Sequence, residues 1–271
     1  MLVIFSGGSG VGKNTVIKAL VKKGDFLLMP TYSTREKRPH ESDGNPYYFL
    51  TDDEFKQKIA ENELYEYQNV HGHYYGTSKK LLKEAVASGK ILAKDIDVLG
   101  TQNLLKTIGD DVKILTLFLK VDSVEVLKRR LIGRKEKDID KRLSRYEMEM
   151  SYSDKYDYII TNDSLSKTTN LVRKIVAAEK VNAELSVAMP FTYDEKKIGE
   201  YVKKLNDGET LSPIKIAYVH HAFYIVDGAE KYLAGIISGK HVAKEIVKAK
   251  IVKCENGEWE TALNKVKNNN K

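Results

Sequence analysis

The chain has 271 residues, a hydrophobic fraction of 42% and a formal net charge of +7. That length suggests two domains with packed cores, while no stretch reaches the ~20 apolar residues of a membrane span. A single cysteine, Cys254, excludes an internal disulfide, and a short apolar N-terminal run without a basic leader predicts a cytoplasmic protein. Scattered lysines make most of the positive excess, which reads as a solvated surface; the alternative is attraction of nucleotide phosphates. The last arginine is Arg173. That shift in composition predicts a boundary between two domains near 180–190.

Residues 2–5 form an apolar strand, and 7–15 read Gly-Gly-Ser-Gly-Val-Gly-Lys-Asn-Thr ahead of a helical pattern over 16–21. Strand, glycine-rich loop, lysine and helix is the order a P-loop requires. Across Gly8, Ser9, Gly10, Val11 and Gly12 the backbone N–H groups can turn toward one point, and the helix adds its positive N-terminus. Lys13 supplies a point charge for the outer phosphates of a nucleoside triphosphate such as ATP. The pattern has Ser or Thr after the lysine, as a ligand for Mg²⁺; here Asn14 offers an amide oxygen and Thr15 a neighbouring hydroxyl.

Further along, 26–29 is a buried strand, and 31–39 a polar segment that Pro39 keeps from becoming a helix. Turn chemistry at 43–46 leads into a strand at 47–50. Thr51 caps a helix whose first turn is acidic. Strands at 64–67 and 73–76 flank Gly72, a helix runs from 79 to 88, and 91–97 is a strand. Helix over 102–108, strand over 114–121, helix over most of 124–152, strand over 158–160 and a helix to about 181 complete the pattern. The alternation predicts an α/β fold with a parallel sheet covered by helices.

Downstream of the P-loop lies a set of phosphate and base readers. Arg35 and Arg38 stand beside Thr31, Ser33 and Thr34; arginine forks grip a phosphate in two places and hydroxyls fill its other lone pairs. Tyr47 and Tyr75 add phenolic donors. Glu66 and Asp97 only accept, which suits the N1–H and amine of guanine, and Thr77 can donate to its O6. Asp95 and Asp97 lie two apart on the predicted strand and so share a face. Taken singly, each has an ordinary alternative: surface charge for the arginines, packing for the tyrosines, caps for the carboxylates.

With these motifs in order, the chain resembles a guanylate kinase over residues 1 to about 180. The resemblance rests on the P-loop, Ser33-Thr34-Arg35-Glu36-Lys37-Arg38, Asn45-Pro46-Tyr47-Tyr48-Phe49, Glu66, Gly72-His73-Tyr74-Tyr75-Gly76-Thr77 and Asp95-Ile96-Asp97-Val98-Leu99-Gly100. It implies a P-loop nucleoside monophosphate kinase domain over 1–182, with the GMP-binding part at about 31–98 and a lid at about 130–146. Thr31, Arg35, Arg38, Tyr47 and Tyr75 would hold the phosphate of GMP, and Glu66, Thr77 and Asp97 would read its guanine. Arg134 and Arg142 match the lid arginines that clamp the transferring group; Arg130 also matches, and Asn162 resembles the adenine-side contact. Mg²⁺ would accompany ATP, with Asn14 and, through water, Asp95 as candidate ligands. Phosphoryl transfer between phosphates needs no general base, so His71 and His73 read as loop residues.

From 187 to 271 the composition changes. An amphipathic helix over 193–205, a strand at 211–216, a hairpin over 220–228, helices over 229–237 and 241–247 and a strand over 250–254 are predicted. Pro213-Ile214-Lys215-Ile216, Tyr224-Ile225-Val226-Asp227-Gly228, Lys231 and Ala234 resemble the ParB/sulfiredoxin-like fold, implying a small α+β accessory domain. Where that family carries His or Arg on nucleotide phosphates, only Lys231 is basic. His220 and His221 are adjacent, so a strand would point them to opposite faces, and a turn or an edge-strand pair explains them better than a metal site. The terminal Asn268-Asn269-Asn270-Lys271 reads as a loose end.

The leading expectation is phosphorylation of GMP, and of dGMP, by ATP. A binding module weak in catalysis, or a P-loop kinase for another phosphorylated acceptor, are the alternatives. The C-terminal domain is expected to bind a nucleotide or a protein partner, a homo-oligomer stays open, and neither nucleic acid nor a membrane is an expected partner.

Overall fold

The computed structural model describes residues 1–37, 41–44, 47–70, 72–134, 136, 138–180, 186–187, 194–219, 222–247, 251–253 and 259–261. Arg38, Asn45, Pro46, His71, His220, His221, Cys254 and the segment 268–271 lie outside these residues. In chain order the elements are β1 (Leu2–Ser6), α1 (Lys13–Lys22), β2 (Phe26–Leu28), β3 (Thr31–Ser33), β4 (Tyr47–Phe49), α2 (Asp52–Ala60), β5 (Leu64–Val70), β6 (His73–Ser78), α3 (Lys79–Ala87), β7 (Ile91–Asp95), α4 (Val98–Thr107), β8 (Ile114–Lys120), α5 (Val124–Gly133) and α6 (Ile139–Met150). There follow β9 (Tyr158–Thr161), α7 (Leu165–Lys180), β10 (Ser186–Val187), α8 (Glu195–Asn206), β11 (Ile214–Val219), β12 (Ala222–Asp227), α9 (Ala229–Ser238), β13 (Lys244–Ile246), β14 (Ile251–Lys253) and β15 (Trp259–Thr261).

Contacts divide the chain into two units, residues 1–150 with 162–169, and residues 151–161 with 170–271. In the first, β2, β7, β1 and β8 run parallel in that order. Every residue of β1 is buried, as a strand covered on both faces must be. Leu2, Ile4, Met29, Leu82, Leu92 and Leu104 form a core cluster beside it. A second sheet, β4-β3-β6-β5, is antiparallel except where β3 meets β4. The single parallel sheet expected from the sequence is therefore accompanied by a mixed one, and Thr31–Ser33, expected as irregular polar chain, is one of its two inner strands. That short segment is a strand because it has partners on both sides, distant in sequence.

Local rules set several boundaries. Thr51 and Glu54 form a reciprocal capping box at the start of α2, each satisfying a backbone N–H the helix cannot. Asp97 departs from expectation: β7 ends at Asp95, and Asp97 is the N-cap of α4, its Oδ1 accepting from the Gly100 N–H at 2.7 Å. The two aspartates are thus not neighbours on one strand face.

In the second unit, β9, β13, β11, β12 and β10 lie in that order, with only the β11–β12 hairpin antiparallel. Residues 241–247, expected as a helix, contain β13 instead, because Lys244 pairs with both Tyr158 and Ile214. Parallel pairing on both sides overrides a modest helical pattern. α8 and α9 pack through Leu205, Leu211 and Ala234, with Ile198 and Val202 against them. No described helix is long and apolar enough to cross a membrane.

Candidate active site

One cavity of about 880 Å³ lies in the first unit, at the loop that joins β1 to α1, a size suited to small ligands. Gly7, Ser9, Gly10, Gly12, Lys13 and Asn14 of the loop line it, together with Thr31, Tyr47, Glu66, Tyr75, Asp95 and Asp97 and with Arg134 and Arg142. Lining residues not singled out from the sequence include Gln68, Lys94, Glu136, Asp138, Lys141, Arg145 and Glu149. Arg145 and Glu149 stand three and seven residues after Arg142 on one helix face, at i, i+4 spacing from each other.

The loop's shape demands its glycines. Gly12 caps α1 in the left-handed region, φ 102°, and an added Cβ would stand 2.5 Å from Asn162 Nδ2. Asn162 and Arg130 lie behind the loop rather than in the cavity. Asn162 Nδ2 donates to the Val11 carbonyl at 2.8 Å, and its Oδ1 accepts from the Thr168 hydroxyl at 2.8 Å. Arg130 donates to the same Val11 carbonyl at 3.1 Å and to that of Asn162 at 2.8 Å. Together they fix the loop by its central carbonyl. Gly8, Val11 and Thr15 complete the loop and the first turn without lining the cavity. Lys13 Nζ donates to the Gly7 and Gly8 carbonyls at 2.5 and 3.1 Å, which holds the ammonium within the loop it serves.

Arg35 does not itself line the cavity; its guanidinium is engaged by Glu41 through both Nη atoms at 2.8 Å. Its Cζ lies 5.1 Å from the Tyr47 ring centroid and 5.4 Å from that of Phe49. Tyr47 meets Tyr75 edge to face at 5.7 Å, and burial, reinforced by Asp95, pushes the Tyr47 hydroxyl up to about 12, so it stays a donor at neutral pH. Glu66 is 8% exposed and accepts from the Thr77 hydroxyl at 2.5 Å. Burial raises its pKa, while Lys94 opposes the rise. Thr77 is fully buried behind Glu66.

Burial raises the pKa of Asp95, and Lys13 pulls it back. Asp97 Oδ2 accepts from Arg145 at 3.4 Å, and Arg145 Nε donates to Glu149 at 3.1 Å. The second oxygen of Glu149 is buried without a partner among the described residues, and burial raises this carboxyl too. Arg142 donates to Ser9 Oγ at 2.6 Å and pairs with Glu136 at 2.8 Å, tying α6 to the glycine loop. Arg134 is exposed at the end of α5.

The cavity brings the glycine loop, Lys13, Arg134 and Arg142 together with the carboxylates of Glu66, Asp95 and Asp97. No group of three or more His, Cys, Asp or Glu suited to a metal occurs among the described residues. Asp95 and Asn14 are oxygen donors of the kind Mg²⁺ uses when phosphates and waters supply its other positions, so the donor set fits that ion.

Comparison with known proteins gives one consistent result. The guanylate kinase family profile matches residues 1–179. The guanylate kinase of Clostridium acetobutylicum is 39% identical over 187 residues, 68% of this chain and 88% of that protein. That of Chlorobaculum tepidum is 38% identical over 180 residues, 65% of this chain and 91% of that protein. The crystal structure of guanylate kinase from Anaplasma phagocytophilum superposes with a TM-score of 0.53 at 27% identity, covering 66% of this chain and 85% of that one.

Proposed function

The chain belongs to the guanylate kinase family, and we propose that its cavity carries out ATP-dependent phosphorylation of GMP, and of dGMP, in the cytoplasm. The observation that carries the reading is that Lys13 and Glu66 line the same cavity. Triphosphate handling and purine reading thus share one space.

The reaction forms a bond between a phosphate oxygen of GMP and the γ-phosphorus of ATP and breaks the bond to the β–γ bridging oxygen, giving GDP and ADP. The attacking oxygen is already anionic, so alignment and charge neutralisation do the catalysis. Gly8, Ser9, Gly10, Gly12 and Lys13 are assigned to the ATP phosphates. Arg130 and Asn162 support them by fixing the Val11 carbonyl. On the acceptor side, Thr31, Arg35, Arg38, Tyr47 and Tyr75 are assigned to the GMP phosphate. Glu66 and Asp97 accept from its guanine, with Thr77 orienting Glu66. Arg134 and Arg142, with Lys13, oppose the negative charge spread over the transferring group. Movement of the α5–α6 hairpin over the cavity would exclude water, the competing acceptor. Asn14, and Asp95 through water, would hold Mg²⁺, which screens the phosphate charge and polarises the transferring group.

For the C-terminal segment we infer a ParB/sulfiredoxin-like accessory module that binds a nucleotide or protein partner, or a second copy of the chain. The reading is supported by the Pro213-led entry to β11, the β11–β12 hairpin and α9 starting at Gly228 with φ 85°. Lys231, its one basic candidate, donates to Ser212 Oγ at 2.6 Å.

An ADP-release assay with ATP, Mg²⁺ and each nucleoside monophosphate in turn, with products separated by chromatography, tests the main reading. Selective consumption of GMP and dGMP is expected. Equal consumption of AMP, or ADP release that needs no monophosphate, would overturn it.

A further inference from the structure

One face of α6 lies on the glycine loop. Arg142 donates to Ser9 Oγ at 2.6 Å. A Cβ added at Gly8 would stand 2.2 Å from Cδ2 of Tyr146 and 3.2 Å from Glu149 Oε2, so both side chains close on the space that this glycine leaves. The Gly8 carbonyl is also one of the two that Lys13 Nζ holds, at 3.1 Å. Glu149 is 4% exposed. Its Oε1 accepts from Arg145 Nε at 3.1 Å, and its Oε2 has no partner among the described residues. A carboxylate buried in this way depends on the cation beside it.

That cation is shared. Arg145 Nη2 also reaches Asp97 Oδ2 at 3.4 Å, a longer contact than the one to Glu149. Asp97 is held in place, because its Oδ1 caps α4 on the Gly100 N–H. Glu149 is held by its packing against Gly8. The Arg145 side chain is 41% exposed and that of Glu149 6%, so the guanidinium is the member free to shift between two fixed carboxylates. One carboxylate stands at the loop assigned to the triphosphate. The other belongs to the acceptor side of the same cavity.

We propose that Arg145 is a positioning residue that couples the two nucleotide sites, moving from Asp97 toward Glu149 when the triphosphate arrives. The inference rests on the cavity holding ATP and GMP together. Incoming phosphates draw the Lys13 ammonium from the Gly8 carbonyl and bring negative charge to the loop. Both changes attract the guanidinium to the Glu149 side, and Asp97 Oδ2 is then released to accept from the acceptor nucleotide. In the other direction, a ligand donor on Asp97 Oδ2 displaces Arg145 toward the loop, where its charge opposes that of the phosphates. Each nucleotide therefore tightens the other, by one common factor.

The test is calorimetric titration of the full chain with GMP, alone and with saturating Mg²⁺ and an ATP analogue whose β–γ bridge is an imido group. The unaltered chain should bind GMP at least about fivefold more tightly with the analogue present, the lower end of ordinary coupling between sites. In Arg145→Met this ratio should fall to within about twofold. Glu149→Gln, which removes the loop-side charge, should lower it as well, and the double variant should lose no more than Arg145→Met alone. A merely structural role would weaken either nucleotide and leave the ratio as it was. Melting curves establish that each variant is folded; if Arg145→Met is not, Arg145→Gln carries the comparison. An undiminished ratio in a folded variant of either residue overturns the assignment, and so does a ratio near one in the unaltered chain. Failure of the unaltered chain to bind GMP or the analogue at all would instead strike the reading of the cavity itself, before any variant is compared.

Discussion

Arg35 and Glu41 form a two-pronged ion pair, each Nη–Oε contact 2.8 Å long, with side-chain exposures of 14% and 8%. The carboxylate takes both Nη atoms, and Nη1 also donates to the Glu36 carbonyl at 2.7 Å. Glu41 thereby orients the fork that the proposed function assigns to the GMP phosphate. Glu41→Gln keeps the shape and removes the charge. Its KM for GMP should rise about threefold to tenfold with kcat little changed, because a charge-assisted pair is replaced by a weaker neutral contact. Arg35→Lys, which cannot make the fork, should raise KM by more. Steady-state kinetics at saturating ATP reads both.

Asn162 tests the support beneath the glycine loop. Its amide donates to Val11 and accepts from Thr168, both at 2.8 Å, and it is buried. Asn162→Ala leaves the Thr168 hydroxyl without that partner and weakens the grip on the Val11 carbonyl. Stability should fall by about 1–3 kcal/mol, measured by urea unfolding. KM for ATP should rise while the Kd for GMP stays unchanged. A change confined to GMP would place the residue's influence elsewhere.

Glu66 makes a prediction in pH. Burial raises its pKa in the folded chain, with Lys94 opposing, so the folded state holds the proton more readily than the unfolded one. Its contribution to stability is therefore complete below the unfolded value, about 4.3, and is lost as pH rises through the folded value. Binding runs the opposite way, because guanine needs the ionised acceptor. The affinity for GMP should fall on acidification in a window lying above the ordinary glutamate range. Glu66→Gln should bind GMP more weakly and show no such window. Calorimetric titrations across pH 5 to 8 in constant ionic strength check both.

The C-terminal segment makes a prediction about folding. Within the second unit β9 is paired with β13 through Tyr158 and Ile159. His241 lies 3.3 Å from the Tyr156 carbonyl and 3.6 Å from Asp157, and the Tyr158 and Phe223 rings are 6.5 Å apart. A chain ending at residue 186 loses all of these contacts and exposes one edge of β9. Its melting temperature should drop by several degrees relative to the full chain, with more aggregation. Unchanged melting would mean that these contacts contribute nothing to the stability of β9.

Features governed by neighbours in sequence were legible. The capping box at Thr51, the glycine loop with Lys13 and the β5–β6 hairpin around Gly72 all follow from local chemistry. Features decided by distant partners were not. Thr31–Ser33 is a strand only because β4 and β6 flank it, and 244–246 only because β9 and β11 do. Asp97 looked like the continuation of an alternating strand, since Asp-Ile-Asp carries the same period, yet its value as a cap won. In the site, residue types and order announced the phosphate and base readers. The Glu41 partner of Arg35, six residues further along the sequence, had no periodic signature. Lys94 was masked by its apolar neighbours, and Arg130 and Asn162 read as ligands when their hydrogen bonds go to the loop itself.

The most direct test of the central claim is to follow the γ-phosphoryl group of labelled ATP in single-turnover experiments with GMP and Mg²⁺, comparing the full chain with Lys13→Ala. The account predicts label in the β-position of GDP, little as inorganic phosphate, and a transfer rate at least about a hundredfold lower in the variant, the scale of a lost transition-state charge contact. Label released as inorganic phosphate irrespective of GMP, or equal transfer rates in the two chains, would contradict it.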